Sequence, residues 1–293
     1  MKYSVIIPNW NGLELFKQNF RKVLALGAHE VIISDDGSTD KSLEYIEKTF
    51  LKDKRKRPKI IIVKHKRRGF AGNVNRGVSR ASGDVVVLLN LDVVPRKDLL
   101  KNLEEHFLDP TVFGVSFNEI NYPKFGWTKG YFLKGYIVHA SGKKTKEPKQ
   151  TFWISGGSGA FRKSMWDRLG GFDEDFKFYW EDIDLSYRAQ KRGWKCIWDP
   201  KAKVVHKHGQ SFKKVNKRYI SLVKERNHLL FIWKNLTDPK IFPKHLTGMI
   251  YRLKNPGYIK VILAALLKLP KIAPKRIVER EEEIISDRKL LNL

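Results

Sequence analysis

Runs of Val, Ile and Leu alternate with amphipathic stretches along the first third of the chain. "YSVII" (Tyr3 to Ile7) reads as a short apolar strand. "LELFKQNFRKVLAL" follows, with Leu13, Phe16, Phe20 and Val23 at helical spacing and Gly27 behind it. "EVIIS" is a second strand, and Ser38, Thr39 or Asp40 can cap a helix through "KSLEYIEKTF". After the basic loop "KDKRKRPK" come a strand "KIIIVKH", a helix "GFAGNVNRGVSRASG" and a strand "DVVVLLNLD". Strands that are apolar throughout, alternating with helices, predict an α/β fold: a mixed, mainly parallel sheet with helices on both faces.

In such sheets ligands bind beyond the carboxyl ends of the strands. Those ends carry Pro8-Asn9, Asp35-Asp36, Lys64-His65-Lys66 with Arg67-Arg68-Gly69 beyond, and Asn90-Leu91-Asp92. Two acidic clusters facing a basic one suit a nucleotide with its diphosphate and a metal ion. Further on, "VFGVSF" reads as a strand. "YPKFGWTKGYFLKGYIVH" is a hairpin or a loop over the cleft. "TFWISGGSGAFRKSMW" places Gly156, Gly157 and Gly159 between two strand-like pieces, where a ligand can approach the backbone closely.

"YWEDIDLSYRAQKRGW" puts Glu181, Asp182 and Asp184 at the front of a short helix and Lys191, Arg192 and Gly193 at its back. That order suits the helix dipole and its caps. Three acids behind Phe176, Phe178, Tyr179 and Trp180 also suit proton transfer in a partly dry cleft. In "WKCIWDPKAKVVHKHGQSF" the alternation places His206 and His208 on one strand face. Beside an acidic cleft such a pair is either a structural pair or a metal site.

The last third changes character. "RYISLVKERNHLLFIWKNL" is a helix with Tyr219, Leu222, Val223, Leu230 and Trp233 near one side. "YIKVILAALLKLPKI" is an apolar helix flanked by lysines. Two readings of it stand side by side: an interfacial helix on an anionic membrane surface through residues 258–276, and a helix that covers the core. The final "VEREEEIISDRKLLNL" reads as solvent-facing.

Composition narrows the class. Apolar residues make up 42% of the 293, enough for a real core. The single cysteine, Cys196, excludes an internal disulfide and a cysteine metal cluster. No stretch reaches the ~20 apolar residues that span a bilayer, and no secretion signal is visible at the N-terminus. A cytoplasmic protein, with or without peripheral attachment to the inner face of the cell membrane, is expected. The net charge of +27 favours anionic partners, such as nucleotides, phospholipid or polyanions. The basic residues are scattered and form no nucleic-acid-binding motif, so no specific nucleic acid is expected.

The order "SVIIPNWNG", "ISDDGSTD", "GFAGNVNRG", "DVVVLLNLDVVP", "GGFDEDFKFYWEDIDLSYRAQKRGW" and "VVHKHGQSF" resembles the family 2 glycosyltransferases, and among them the rhamnosyltransferase-like bacterial branch. The resemblance implies the GT-A fold and inverting sugar transfer. A catalytic domain would cover 1–212, with a nucleotide-sugar-binding half (1–110) and an acceptor-binding half (111–212). A C-terminal helical extension would cover 213–293. The donor would be a nucleoside-diphosphate sugar, for example dTDP-rhamnose, and the acceptor a lipid-linked or polysaccharide hydroxyl of the cell envelope.

By the same resemblance, Pro8, Asn9, Asp35, Asp36, Gly69, Asn73, Asn90 and Asp92 would hold the nucleotide sugar, and Gly156, Gly157 and Trp180 the acceptor. Asp92 and His206 would bind a divalent cation, Mg or Mn. Asp182 would be the general base, with Glu181 beside it. A helix N-terminus favours ionised Asp182 and burial favours its protonated form; the sequence does not decide between them. Asn90 replaces the first acid of the family's DxD motif, which weakens the case for metal and leaves an inactive member open. The Q-x-x-R-W signature of processive relatives is absent, so addition of a single sugar is expected. A nucleotidyltransferase is disfavoured because "PNWNGLELF" is no Gly-rich basic loop. A non-enzymatic polyanion binder is the remaining alternative.

Overall fold

The computed structural model describes residues 1–51, 58–122, 126–207 and 216–293. Most of the basic loop after residue 51, and His208, lie outside the described residues. The first unit runs β1 (Tyr3–Asn9), α1 (Leu13–Leu24), β2 (Glu30–Asp35), α2 (Ser42–Ile46), β3 (Lys59–Lys64), α3 (Phe70–Val78) and β4 (Val85–Leu89). Then come β5 (Val93–Pro95), α4 (Leu99–Leu108), β6 (Val112–Glu119), a hairpin of β7 (Thr128–Leu133) and β8 (Tyr136–Ser141), and the short β9 (Lys149–Gln150). The chain continues through β10 (Ser158–Arg162), α5 (Lys163–Leu169), α6 (Glu181–Lys191) and β11 (Lys195–His206). It ends in α7 (Lys217–Asn235), α8 (Phe242–Arg252), α9 (Tyr258–Leu266), α10 (Leu269–Glu281) and α11 (Asp287–Leu291).

The main sheet has the order β3-β2-β1-β4-β10-β6-β11-β5, with β9 beside β11. β3, β2, β1 and β4 are mutually parallel, β10 runs antiparallel between β4 and β6, and β11 is parallel to β6. Period-two alternation sorts the strand residues between two cores. Val5, Ile7, Val31, Ile33, Val85 and Val87 meet Phe16 and Phe20 of α1 and Leu103 and Phe107 of α4. Ile6, Ile32, Val86 and Leu88 meet Val74 of α3 and Leu185 and Ala189 of α6. Both faces are covered, which explains why these strands read as unbroken apolar runs.

A third core departs from the picture of an appended C-terminal extension. Tyr136 and Ile137 of the hairpin and Ile183 and Tyr187 of α6 pack with Leu229 to Trp233 of α7, Val261 of α9 and Ile272 of α10. The last two turns of α7 are buried all round rather than on one side. The segment read as one apolar helix is two, α9 and α10, broken at Leu267-Lys268. Pro270 sits in the first turn of α10, where its missing N–H costs nothing.

The final residues are mostly exposed, with buried exceptions. Glu279 and Asp287 are buried, at 4% and 0% exposure. Glu279 pairs with Arg192, and Asp287 accepts from the Tyr187 hydroxyl at 2.6 Å. Lys191 reaches Glu283 at 2.6 Å and Asp287 at 3.4 Å. The bases at the back of α6 therefore serve these carboxylates. α2 differs from expectation in its start: Lys41 is its N-cap, with no side-chain cap, and Asp40 accepts the Ser42 N–H at 3.1 Å from two residues away.

Candidate active site

The carboxyl ends of β1, β2 and β3 form one polar cluster. Asn9 donates to Asp35 (2.7 Å), Ser38 (3.1 Å) and Ser42 (3.0 Å). Asp36 accepts the backbone N–H groups of Arg68 (2.6 Å) and Gly69 (2.9 Å). Asn73 donates to the Asn9 carbonyl at 3.3 Å and meets His65 Nε2 at 3.1 Å. Pro8 lies next to Asn9, half-buried at the end of β1. The structure brings these predicted residues together but engages them with one another: Asn9, Asp35, Asp36 and Asn73 are all at most 4% exposed. They pin the loops after β1, β2 and β3. One exposed group on this rim that the sequence did not single out is Trp10, with the Arg67 guanidinium 3.6 Å above its ring.

Across the sheet, Asp182 and Asn90, the latter two residues before Asp92, bond to one turn, Ser155 to Ser158. The Gly156 N–H donates to Asp182 Oδ2 at 3.1 Å. The Gly157 carbonyl accepts the Asn90 N–H at 2.9 Å. A Cβ on Gly157 would stand 2.3 Å from Asn90 Nδ2, so only glycine lets the two loops approach this closely.

The three acids of α6 separate in role. Asp184 is fully buried and accepts from Arg188 (2.8 Å), Lys234 (2.9 Å) and Asn235 (2.8 Å), which ties α6 to α7. Asp182 keeps some solvent contact. Burial outweighs the N–H groups of Gly156 and Ile183 and pushes its pKa up to about 6. Glu181 is 6% exposed, and its Oε2 has no hydrogen-bond partner. Burial, then the neighbouring Asp182 charge, raise its pKa well above the carboxylate range. No side chain caps α6. Its N-cap is Trp180, and the nearest substitute is Asp182 accepting the Ile183 N–H at 2.9 Å.

The approach to α6 is strained. Tyr179 (φ 65°) and Trp180 (φ 78°) are consecutive left-handed residues, a conformation aromatic side chains rarely adopt. Asn227 of α7, fully buried, donates to the carbonyls of Phe178 (3.0 Å) and Tyr179 (2.9 Å). Trp180 stacks on His228 with centroids 4.1 Å apart. His228 donates Nε2–H to the Ile137 carbonyl at 2.7 Å, and burial lowers its pKa to about 3, so the stack is between neutral rings. The sequence pointed to neither residue: on a helical wheel Asn227 and His228 are two polar positions among many.

Asp92 is 4% exposed. Its Oδ1 lacks a hydrogen-bond partner and lies 3.4 Å from His206 Nε2, a loose ion pair. His206 Nδ1 meets Glu119 Oε1 at 2.8 Å. Burial would lower the His206 pKa; the two carboxylates more than offset it and hold the pKa near 9. Glu119 escaped the sequence reading, although it ends β6 and the strand-end rule covers it.

Among the described residues no group of three or more His, Cys, Asp or Glu could hold an ion by itself. An unsatisfied buried carboxylate oxygen facing an imidazole nitrogen still fits a divalent cation that would displace the His206 proton and take its remaining ligands from phosphate and water. Asp92 and His206 are the residues that would hold it.

Comparison with known proteins identifies the fold and the family. A mannosyltransferase from Pyrobaculum calidifontis, solved with GDP-Man and Mn2+, aligns with 96% of this chain and 84% of its own at TM-score 0.58 and 19% identity. S. aureus TarS 1–349 in complex with UDP aligns with 96% of this chain and 89% of its own at TM-score 0.55 and 17% identity. The fold is GT-A. Residues 4–170 match the family model "Glycosyl transferase family 2", and the chain belongs to that family.

Among curated relatives, the O-antigen chain rhamnosyltransferase RfbN of Salmonella typhimurium is 24% identical over 75% of this chain and 70% of its own length. The N-acetylglucosaminyl-diphospho-decaprenol L-rhamnosyltransferase of Mycobacterium tuberculosis is 41% identical over 59 residues, 20% of this chain and 19% of that enzyme. The poly-beta-1,6-N-acetyl-D-glucosamine synthase of Staphylococcus aureus is 30% identical over 68% of this chain and 48% of its own. The family match ends before Asp182 and His206.

Proposed function

We propose that the protein transfers a sugar from a nucleoside-diphosphate sugar to an acceptor hydroxyl, with inversion at the anomeric carbon. The carrying observation is Asp182, a carboxylate with a raised pKa, bonded to the Gly156-Gly157 turn whose other side holds Asn90, two residues before Asp92. Ionised Asp182 accepts the acceptor's hydroxyl proton as that oxygen bonds to the anomeric carbon from one face. The bond to the diphosphate breaks on the opposite face. A divalent cation held by Asp92 and His206 would neutralise charge on the departing diphosphate. Pro8, Asn9, Asp35, Asp36, Gly69 and Asn73 shape the base and ribose side of the donor site. Gly156, Gly157 and Trp180 line the acceptor side, with the buried Glu181 beside the base.

Two rhamnosyltransferases among the relatives favour a rhamnose donor such as dTDP-rhamnose. Their names favour a lipid-linked or polysaccharide acceptor of the cell envelope. A lipid-linked acceptor is met at the inner face of the cell membrane. The test is a panel of nucleotide sugars with Mg2+ or Mn2+, followed by Asp182→Asn. That variant is expected to lose at least about a hundredfold in turnover while still binding the nucleotide. Undiminished turnover in Asp182→Asn would remove Asp182 from the role of base.

A further inference from the structure

The outer surface of the C-terminal helices carries two apolar stripes that no part of the chain covers among the described residues. On α8 and the residue after it, Leu246, Ile250 and Leu253 are 44%, 67% and 42% exposed, at spacing i, i+4, i+7. On α9 and the residue after it, Ile259, Leu263, Leu266 and Leu267 are 44%, 54%, 45% and 84% exposed, at i, i+4, i+7, i+8. The opposite face of α9, Tyr258, Val261, Ile262 and Ala265, is buried in the core shared with α7, so its stripe points away from the molecule.

Charge selects what can cover these stripes. From Phe242 to Val278 the chain holds eight Lys and Arg and no Asp or Glu. Arg252, Lys275 and Arg276 are engaged by Tyr136, by Asp173 and Asp175, and by the Trp233 carbonyl. Lys244, Lys254, Lys260 and Lys271 are exposed beside the stripes. A second copy of this chain would bring the same cations against themselves across a two-fold interface. Nucleic acid offers nothing to bury the leucines. An anionic lipid surface satisfies both features: acyl chains take the apolar stripe and headgroups the lysines.

We infer that α8 and α9 form a docking face for an anionic bilayer, and that this face lies on the acceptor side of the cleft. The second part follows from the hairpin. Gly248 of α8 is packed so tightly on the β7–β8 turn that a Cβ there would stand 2.8 Å from the Gly135 Cα, and His245 donates to the Gly135 carbonyl at 2.7 Å. Farther along the hairpin, His139 is 5.9 Å from Trp153 and 6.3 Å from Trp180, which precedes the α6 carboxylates. The orientation rests on the sugar-transfer reading; the docking face does not.

Vesicle co-sedimentation of the full chain tests this without any activity measurement. The protein is expected to pellet with vesicles containing phosphatidylglycerol, to stay in solution with phosphatidylcholine alone, and to be released by salt. Ile250→Glu with Leu263→Glu should abolish pelleting with the melting temperature unchanged. Replacing Lys254 and Lys260 by Gln should weaken binding roughly fivefold per lysine. Equal binding to both vesicle types, or to neither, overturns the inference. So does a dimer in lipid-free solution that Leu263→Glu dissociates, which would assign the face to a second copy. Docking without sugar transfer would leave the face standing and sink only its orientation.

Discussion

As the proposed base, Asp182 couples chemistry to a stability cost. Its folded-state pKa of about 6 lies above the ordinary 3.8 because burial penalises the charge. As the base must be ionised, kcat/KM should rise with pH through about 6 and level above it; a profile flat down to pH 5 would refute the assignment. The stability sign is opposite. Between about 3.8 and 6 the folded state holds a proton that the unfolded state has released, so stability falls as pH rises through that window and stays lowered above it. Asp182→Asn removes the penalty and keeps an acceptor oxygen for Gly156 or Ile183. After discounting for the solvent Asp182 retains, the gain at neutral pH should be about 1 kcal/mol. Thermal unfolding at pH 7 and pH 4 measures it, with the larger difference expected at pH 7.

At the scale of elements, α7 holds α6 in place. Two left-handed aromatic residues ahead of α6 each cost about 1–3 kcal/mol, and Asn227 together with the Trp180–His228 stack secures them. Asn227→Ala should therefore cost about 1–2 kcal/mol, since two partly buried carbonyls lose their donor. It should also lower kcat far more than the donor KM, because the donor-side loops are pinned independently by Asn9, Asp35 and Asp36. Equal changes in kcat and KM would speak against a positioning role. The first part of the sheet was legible from local pattern because β1, β2 and β4 are covered on both faces and read as solid apolar runs. The tight turn carrying Gly156 and Gly157 was visible as a glycine cluster. Its partners were not, since Asn90 and Asp182 reach it from distant parts of the chain.

For the whole molecule, the C-terminal helices complete the catalytic unit. Lys191 and Arg192 of α6 are 0% and 5% exposed, and their counter-charges Glu279, Glu282, Glu283 and Asp287 all come from the last stretch of the chain. Removing residues 279–293 would leave two buried cations unpaired, each costing about 3–5 kcal/mol. The truncated protein should lose cooperative thermal unfolding. Retention of the full-length melting temperature would show the end to be dispensable. Sequence reading placed this acid-rich end in solvent because its composition is that of an exposed helix, and its partners stand about ninety residues away.

What the sequence settled alone is what local physics settles: the order of strands and helices from β1 to β4, the polar character of the strand ends, the basic character of the chain and the acidic front of α6. Backbone propensity and hydrophobic period act between near neighbours, so they can be read from one segment at a time. Tertiary structure decided which of three adjacent carboxylates faces the cleft. Asp184 is taken by Lys234 and Arg188, Glu181 is buried with its Oε2 unpartnered, and of the three Asp182 meets the Gly156 turn and solvent. Burial, partner and pKa are properties of what the rest of the chain brings to a residue. No local pattern contains them.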